Sequence, residues 1–465
     1  MTPTPDPGSL HDPTARVLRD GDRVLRVLDR EAWEDYTEVA KTDFWIRAQQ
    51  TGRIVRTGVA DLSTIPGATA WAGAVEHDCI PVVNYSSEWT FSMLQDAALL
   101  HLDLLGEALE SGFSTKDGNP SNIQYEGTTP TFIDTASFTR LRPGEQWYGF
   151  RQFCEQFLNP LVLQAYGRLD VPMSVRGSVQ GISPARTTTL LPRKARLRPA
   201  IFALIGLHAA VERRYARKER NVAGELRAAG MSPTVLAAQV RKLRRVIASL
   251  EWRPRDSEWS DYADRSHYEG ASLEAKTAFV AQVTREQNPT QVLDLGANDG
   301  AFSRLALEQG ASYVVAVDID AAVVERLYRE LRSTKNKSLL PLCADLTDLN
   351  GGLGWAGTER AGLLERLRPN LVLCLALFHH LAITASIRVD AIVDLLASFN
   401  VPVVFELPLP DDPMAARLLA RKRDGSVPGY SRAAVEDALR SRFRVSKEVD
   451  LPGGTRVMYE LIPLG

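Results

Sequence analysis

From about residue 271 the chain alternates short, almost wholly apolar runs with longer amphipathic ones. The apolar runs are Gln291–Leu295, Tyr313–Val317, Leu339–Cys343, Leu371–Leu375 and Val401–Phe405. A strand that is apolar on both faces needs cover on both, which predicts a mostly parallel sheet between two layers of helix. The stretches Phe302–Gln309, Ala321–Arg332 and Val389–Phe399 have the helical spacing to supply that cover. The pattern breaks at the end. There Phe443–Val449 and Arg456–Leu461 flank Pro452-Gly453-Gly454 and predict an antiparallel hairpin.

The rest of the chain reads differently. At roughly 150 residues per domain, 465 residues allow two or three domains. Residues 1–15 are polar and Pro-rich and are expected to form a flexible tail. Residues 16–185 mix short strands and helices, an α+β domain; Phe91–Glu110 reads as one long helix, and Ile123–Tyr125 and Thr131–Ile133 as strands turning at Gly127. Residues 186–260 form a basic helical connector, as in AAQVRKLRRVIASLEW. Its plain reading is amphipathic helices with a solvated basic face, and its sharper reading a docking surface for an anionic partner.

Composition excludes several classes. A formal net charge of −2 argues against a general nucleic-acid binder. The longest membrane candidate, Ala200–Val211, falls short of the roughly 20 apolar residues that span a bilayer. The N-terminus has no apolar signal core, and Cys79, Cys154, Cys343 and Cys374 form no CxxC pair. These features predict a reduced, cytoplasmic protein without a zinc site.

The stretch VLDLGANDGAFSRLA carries most of the chemistry. An apolar strand runs into Asp294-Leu-Gly296-Ala-Asn298-Asp299-Gly300 and then a helix. Its G-x-x-x-G spacing is neither the dinucleotide fingerprint nor a phosphate-cradling P-loop. Asp318 ends the second strand, where a carboxylate can accept hydrogen bonds from both ribose hydroxyls. Asp345 ends the third and can reach an adenine amino group. Three such acids suit a positively charged nucleoside, namely S-adenosylmethionine.

Asp294–Phe302, Asp318, Asp345 and the terminal hairpin resemble a class I S-adenosylmethionine-dependent methyltransferase. The resemblance implies a Rossmann-like α/β domain over residues 261–465, with a seven-stranded sheet whose last strand is antiparallel. It implies cofactor contacts from Asp294, Gly296, Asn298, Gly300, Phe302, Asp318, Ile319, Asp345, Leu346 and Leu375. Asp294 and Gly296 would lie against the methionine moiety, and Gly300 would allow close packing under the cofactor. The acceptor would sit at the end of the fourth strand, LVLCLALFHHLAIT. The Asn/Asp-Pro-Pro-aromatic motif of enzymes that methylate base amines is missing, so a nucleic-acid acceptor is not expected. His379 or His380 can act as general base, or equally cap the strand. Glu406 is a second acid/base candidate, its plainer reading a solvated strand-end carboxylate. Trp355, Glu359 and Arg360 are candidates to line the pocket, and Tyr262 and Tyr268 to form a lid. No metal site is expected.

In the front half, Lys116-Asp117-Gly-Asn119-Pro-Ser-Asn122 followed by Phe132-Ile133-Asp134 resembles kinase-like phosphotransferases. By that resemblance Asp117 would position a hydroxyl while Asn122 and Asp134 hold magnesium. Thr115 stands where that family has His, and residues 16–75 contain neither a phosphate loop nor a strand lysine. A kinase-like fold without activity, serving recognition, is expected. Across nearly its whole length the chain resembles a two-part bacterial group that includes a rhizobial nodulation protein. The carrying stretches are EWTFSMLQDAALLHLDLL, KDGNPSNI, FIDTASF, LDLGANDGAFS, GLGWAGTER and CLALFHHL. The expected activity is methyl transfer to a small-molecule or peptide-type acceptor in specialised metabolism. An N-terminal phosphotransferase and a non-catalytic S-adenosylmethionine-binding protein are the alternatives.

Overall fold

The computed structural model describes residues 3–167, 169–206, 232–254, 270–349, 351–423 and 429–464. The chain divides into two units, residues 1–253 with 350–365 and residues 254–349 with 366–465.

The first unit opens with an antiparallel sheet. Strands β1 (Thr4–Pro5), β2 (Ala15–Asp20), β3 (Arg23–Leu28), β4 (Thr57–Ala60) and β5 (Gly73–His77) pair in the order β1-β2-β3-β5-β4. The expected N-terminal tail is therefore partly ordered. Asp6 and Asp12 are turn formers: their carboxylates accept from Gly8 N at 2.9 Å and Thr14 N at 2.8 Å. Two strand pairs follow, β6 (Phe113–Thr115) with β9 (Phe138–Arg140), and β7 (Ile123–Glu126) with β8 (Thr129–Phe132).

The long helix α1 (Phe91–Glu110) buries apolar residues at Leu94, Ala98, Leu102, Leu105 and Leu109. Against it packs α2 (Pro233–Ala248), which buries Leu236, Val240, Leu243 and Ile247 at helical spacing. Gln95 Nε2 donates to the α2 carbonyl of Ile247 at 2.8 Å, and Arg244 donates to Asp103 at 3.1 Å. The helical connector thus contributes this helix to the first unit while Arg241, Lys242 and Arg245 stay exposed. Connector residues 207–231 and 255–260, like Tyr262 and Tyr268, lie outside the described residues.

The second unit is the alternating α/β part. Its helices include α3 (Gly270–Gln287), α4 (Ala301–Glu308) and α5 (Ala321–Ser333). Its strands are β10 (Gln291–Leu295), β11 (Tyr313–Asp318), β12 (Leu339–Cys343), β13 (Leu371–Cys374), β14 (Val403–Pro408), β15 (Phe443–Asp450) and β16 (Arg456–Pro463). They form one seven-stranded sheet in the order β12-β11-β10-β13-β14-β16-β15. The first five are parallel, and β16 runs antiparallel to both β14 and β15. β14 starts at Val403 and not at Val401, because Pro402 has no N–H to give the ladder. Its carbonyl still accepts from Val372 N at 3.0 Å. Val292, Val314, Leu373, Val404 and Met458 lie in one buried cluster.

The chain leaves β10 toward β11 on one side and later returns to β13 on the other. A crevice opens beyond the carboxyl ends of strands at such a switch point. Among the described residues no helix is long and apolar enough to cross a membrane. All four cysteines are free thiols, and three are buried.

We predict that Leu243→Ala lowers unfolding stability by about 2–5 kcal/mol through the cavity it leaves. Arg241→Ala, on the exposed face, should change it by less than about 0.5 kcal/mol. Urea denaturation of both variants checks this.

Candidate functional site

The site begins at the turn after β10. Gly296 N and Ala297 N both donate to the Val317 carbonyl, at 2.8 and 3.0 Å, and pin the turn to the end of β11. Asn298 N donates to one Asp318 carboxylate oxygen at 2.9 Å, while Asp320 N donates to the other, also at 2.9 Å. One carboxylate thus fixes two loops. Gly296 has φ +72°, and a Cβ there would lie 3.2 Å from Leu377. Gly300, at φ +73°, starts α4, and a Cβ there would lie 2.9 Å from Leu327. Gly300 is not on the cavity wall. It was expected at the cofactor, but its small size serves the contact between α4 and α5.

A cavity of about 340 Å³ lies over these strand ends. The first turn gives it Asp294, Gly296, Asn298, Asp299 and Phe302, and the second gives Asp318 and Ile319. The third gives Asp345, Leu346 and Thr347, and the fourth gives Leu375, Ala376, Leu377 and His380. All the expected cofactor residues except Gly300 line it. Burial pushes the Asp294 carboxyl up to about 6, against the Ser303 hydroxyl, which donates to it at 2.6 Å, and the nearby Lys276. Burial also raises Asp318, and the backbone N–H groups of Asp320 and Asn298 oppose it. Asp345 accepts from Thr347 N at 2.8 Å and from its hydroxyl at 2.6 Å.

Of the two histidines, one reaches the cavity. His380 lines the cavity, and burial, reinforced by Arg456, lowers it to about 4. It is a neutral imidazole at neutral pH. His379 is fully buried and lies off the cavity wall. Both lie in the helical stretch that starts at Phe378, with ring centres 4.0 Å apart, and His380 is the one on the cavity wall.

Glu406 contradicts both expectations set for it. It is fully buried, with Lys276 Nζ at 2.6 Å and Arg456 at 2.9 Å. Burial alone would raise its pKa, but the two cations override that and hold it down to about 2. It is a fixed anion, neither solvated nor able to shuttle a proton. Arg456 also pairs with buried Asp412 at 2.7 Å.

Trp355, Glu359 and Arg360 do not line the cavity. They belong to the 350–365 segment of the first unit, where Leu353 and Arg360 pair through their backbones at 2.9 and 3.0 Å. The Arg360 guanidinium there lies 5.8 Å from the Tyr85 ring.

Elsewhere in the first unit, Asp117 accepts from Asn122 Nδ2 at 2.7 Å and from the Ser137 hydroxyl at 3.0 Å. Burial, with Asp134 adding to it, pushes Asp117 up to about 6. Asp134 itself is ion-paired with Arg26 of β3.

No protein-family model matches the chain. The chain is 30% identical over 457 residues to nodulation protein NoeA of Rhizobium meliloti (strain 1021), covering 97% of this chain and 94% of that protein. It belongs to the family of that nodulation protein. Among solved structures, it is similar to N-methyltransferase NodS of Bradyrhizobium japonicum WM9 in complex with S-adenosyl-L-homocysteine. That match has 11% identity and a TM-score of 0.32, over 45% of this chain and 100% of that one. Magnesium protoporphyrin IX methyltransferase of Synechocystis PCC 6803 matches with 12% identity and a TM-score of 0.30, over 49% of this chain and 94% of that one.

Lys276, Arg456 and Asp412 carry no motif and were not anticipated. Lys276 did leave one signal: it lies on the same helical stripe as buried Phe279, Val280 and Val283. A lysine on an apolar stripe is unusual unless paired. Glu406→Ala should cost about 3–5 kcal/mol, because it removes the buried anion that two buried cations share. A thermal melt with an unchanged midpoint would contradict the ion array.

Proposed function

We propose that the chain is an S-adenosylmethionine-dependent methyltransferase of the class I type, working in the cytoplasm on a small-molecule or peptide-type acceptor. One observation carries this reading. Asp294, Asp318 and Asp345, near the ends of three adjacent parallel strands, line one cavity. The cavity's fit supports it further. Its volume of about 340 Å³ falls in the range of small-molecule sites. Gly296 leaves open the space a Cβ would fill against Leu377. Asn298 Oδ1 is a buried acceptor without a partner among the described residues. Ile319 and Leu346 offer apolar surface to a flat base.

When bound, S-adenosylmethionine supplies an electrophilic methyl group on a sulfonium for in-line displacement. The chain's own groups would bind and orient. Asp318 would accept from both ribose hydroxyls, Asp345 from the adenine amino group, and Asp294 would face the ammonium group. Neutral His380 would accept a hydrogen bond from the acceptor's O–H or N–H. Its low basicity favours orientation of the nucleophile over full proton removal.

We further propose that the first unit serves recognition and not phosphotransfer; the ion pair of Arg26 with Asp134 speaks against the latter. The guanidinium already neutralises the carboxylate that phosphotransfer would need for magnesium, so the residues do not fit that ion. Magnesium-dependent ATP turnover lost in Asp134→Ala would overturn this part.

The central test is incubation with labelled S-adenosylmethionine and fractionated cell extract, with mass analysis of the labelled product. In calorimetry, Asp318→Ala should lose detectable cofactor binding, since two or more charge-assisted hydrogen bonds disappear at about 1.5–3 kcal/mol each. Unchanged affinity overturns the assignment. Affinity should also depend on pH. A cationic ligand prefers ionised Asp294, so binding should be level well above pH 6 and weaken as pH falls through about 6. A pH-independent dissociation constant would remove Asp294 from the contact set.

A further inference from the structure

We infer that Lys276 is the receptor for the α-carboxylate of the cofactor's amino-acid moiety, so that Lys276 and Asp294 together read a zwitterion. The inference rests on the methyltransferase reading and adds a residue to it. Among the described lining residues Lys276 is the one cation, set against the carboxylates Asp294, Asp299, Asp318 and Asp345. Of the charged groups on this wall, Lys276 is the one that attracts a ligand carboxylate.

The turn backbone offers no substitute at four positions. Gly296, Ala297 and Gly300 donate their N–H groups to backbone carbonyls at 2.8, 3.0 and 2.9 Å, and Asn298 donates to Asp318. Those amides are already committed, so they do not form the anion nest that a Gly-rich turn can otherwise provide.

Lys276 is also more than the counter-ion of Glu406. Arg456 already neutralises Glu406 at 2.9 Å and lies off the cavity wall, whereas Lys276 lies on it. The Lys276 ammonium is 4.5 Å from the ring centre of Phe302, another wall residue. An ammonium carries three N–H donors in a tetrahedral array, so pairing with Glu406 at 2.6 Å is compatible with a second, cavity-side acceptor.

The test compares two probes on the full-length protein by calorimetry: S-adenosyl-L-homocysteine, which has the amino-acid moiety, and 5′-methylthioadenosine, which lacks it. Wild type should bind the first more tightly. Lys276→Met should weaken it about 10- to 100-fold and 5′-methylthioadenosine less than about 3-fold. Lys276→Arg should restore part of the preference. If Lys276→Met does not fold, the double variant Lys276→Met/Glu406→Gln, which also removes the charge of the carboxylate that lost its lysine, takes its place. Equal losses for both probes, or no loss for either, overturn the role of Lys276. Equal wild-type affinities do so too, while leaving the methyltransferase reading intact. Wild type binding neither probe overturns that reading and the inference together.

Discussion

A carboxylate with no exposed surface, Glu406, holds the second unit together electrically. It draws Lys276 from α3 and Arg456 from β16 onto β14, and Arg456 carries the array on to Asp412. Taking so many charges out of water costs several kcal/mol per ion, offset only while every partner is present. The array therefore fixes geometry more than it adds stability. It ties the helix before the sheet, a parallel strand and the antiparallel strand into one arrangement. In doing so it holds Lys276 against the cavity wall beside Asp294.

Much of this unit was legible in its sequence because parallel strands buried on both faces must be apolar throughout. The runs ending in Leu295 and Cys343 match β10 and β12 residue for residue. Asp294, Asp318 and Asp345 were legible for a related reason. A carboxylate near the end of an apolar strand stands where an open sheet makes its crevice. What escaped the reading depended on tertiary surroundings. Glu406 resembles any strand-end acid until the cations of two distant segments are known to reach it. His379 and His380 are neighbours in sequence, and only the backbone turn after Leu377 decides which faces the cavity. Gly300 was assigned by motif, whereas its neighbour is Leu327.

The first unit was less legible, since antiparallel strands of mixed exposure and aspartate turns leave weaker patterns than a buried parallel sheet. Its opening residues looked like a tail because prolines and aspartates dominate both tails and tight turns. Its Asp117, Asn122 and Ser137 do come together, but Arg26, which no spacing rule connects to them, balances the adjacent Asp134.

Residues 350–365 leave the second unit between β12 and β13 and belong to the first. The polypeptide consequently passes between the units at 253/254, at 349/350 and again at 365/366. An exchange of either unit for a foreign counterpart at one chain position would therefore carry the 350–365 strip away from the unit it belongs to.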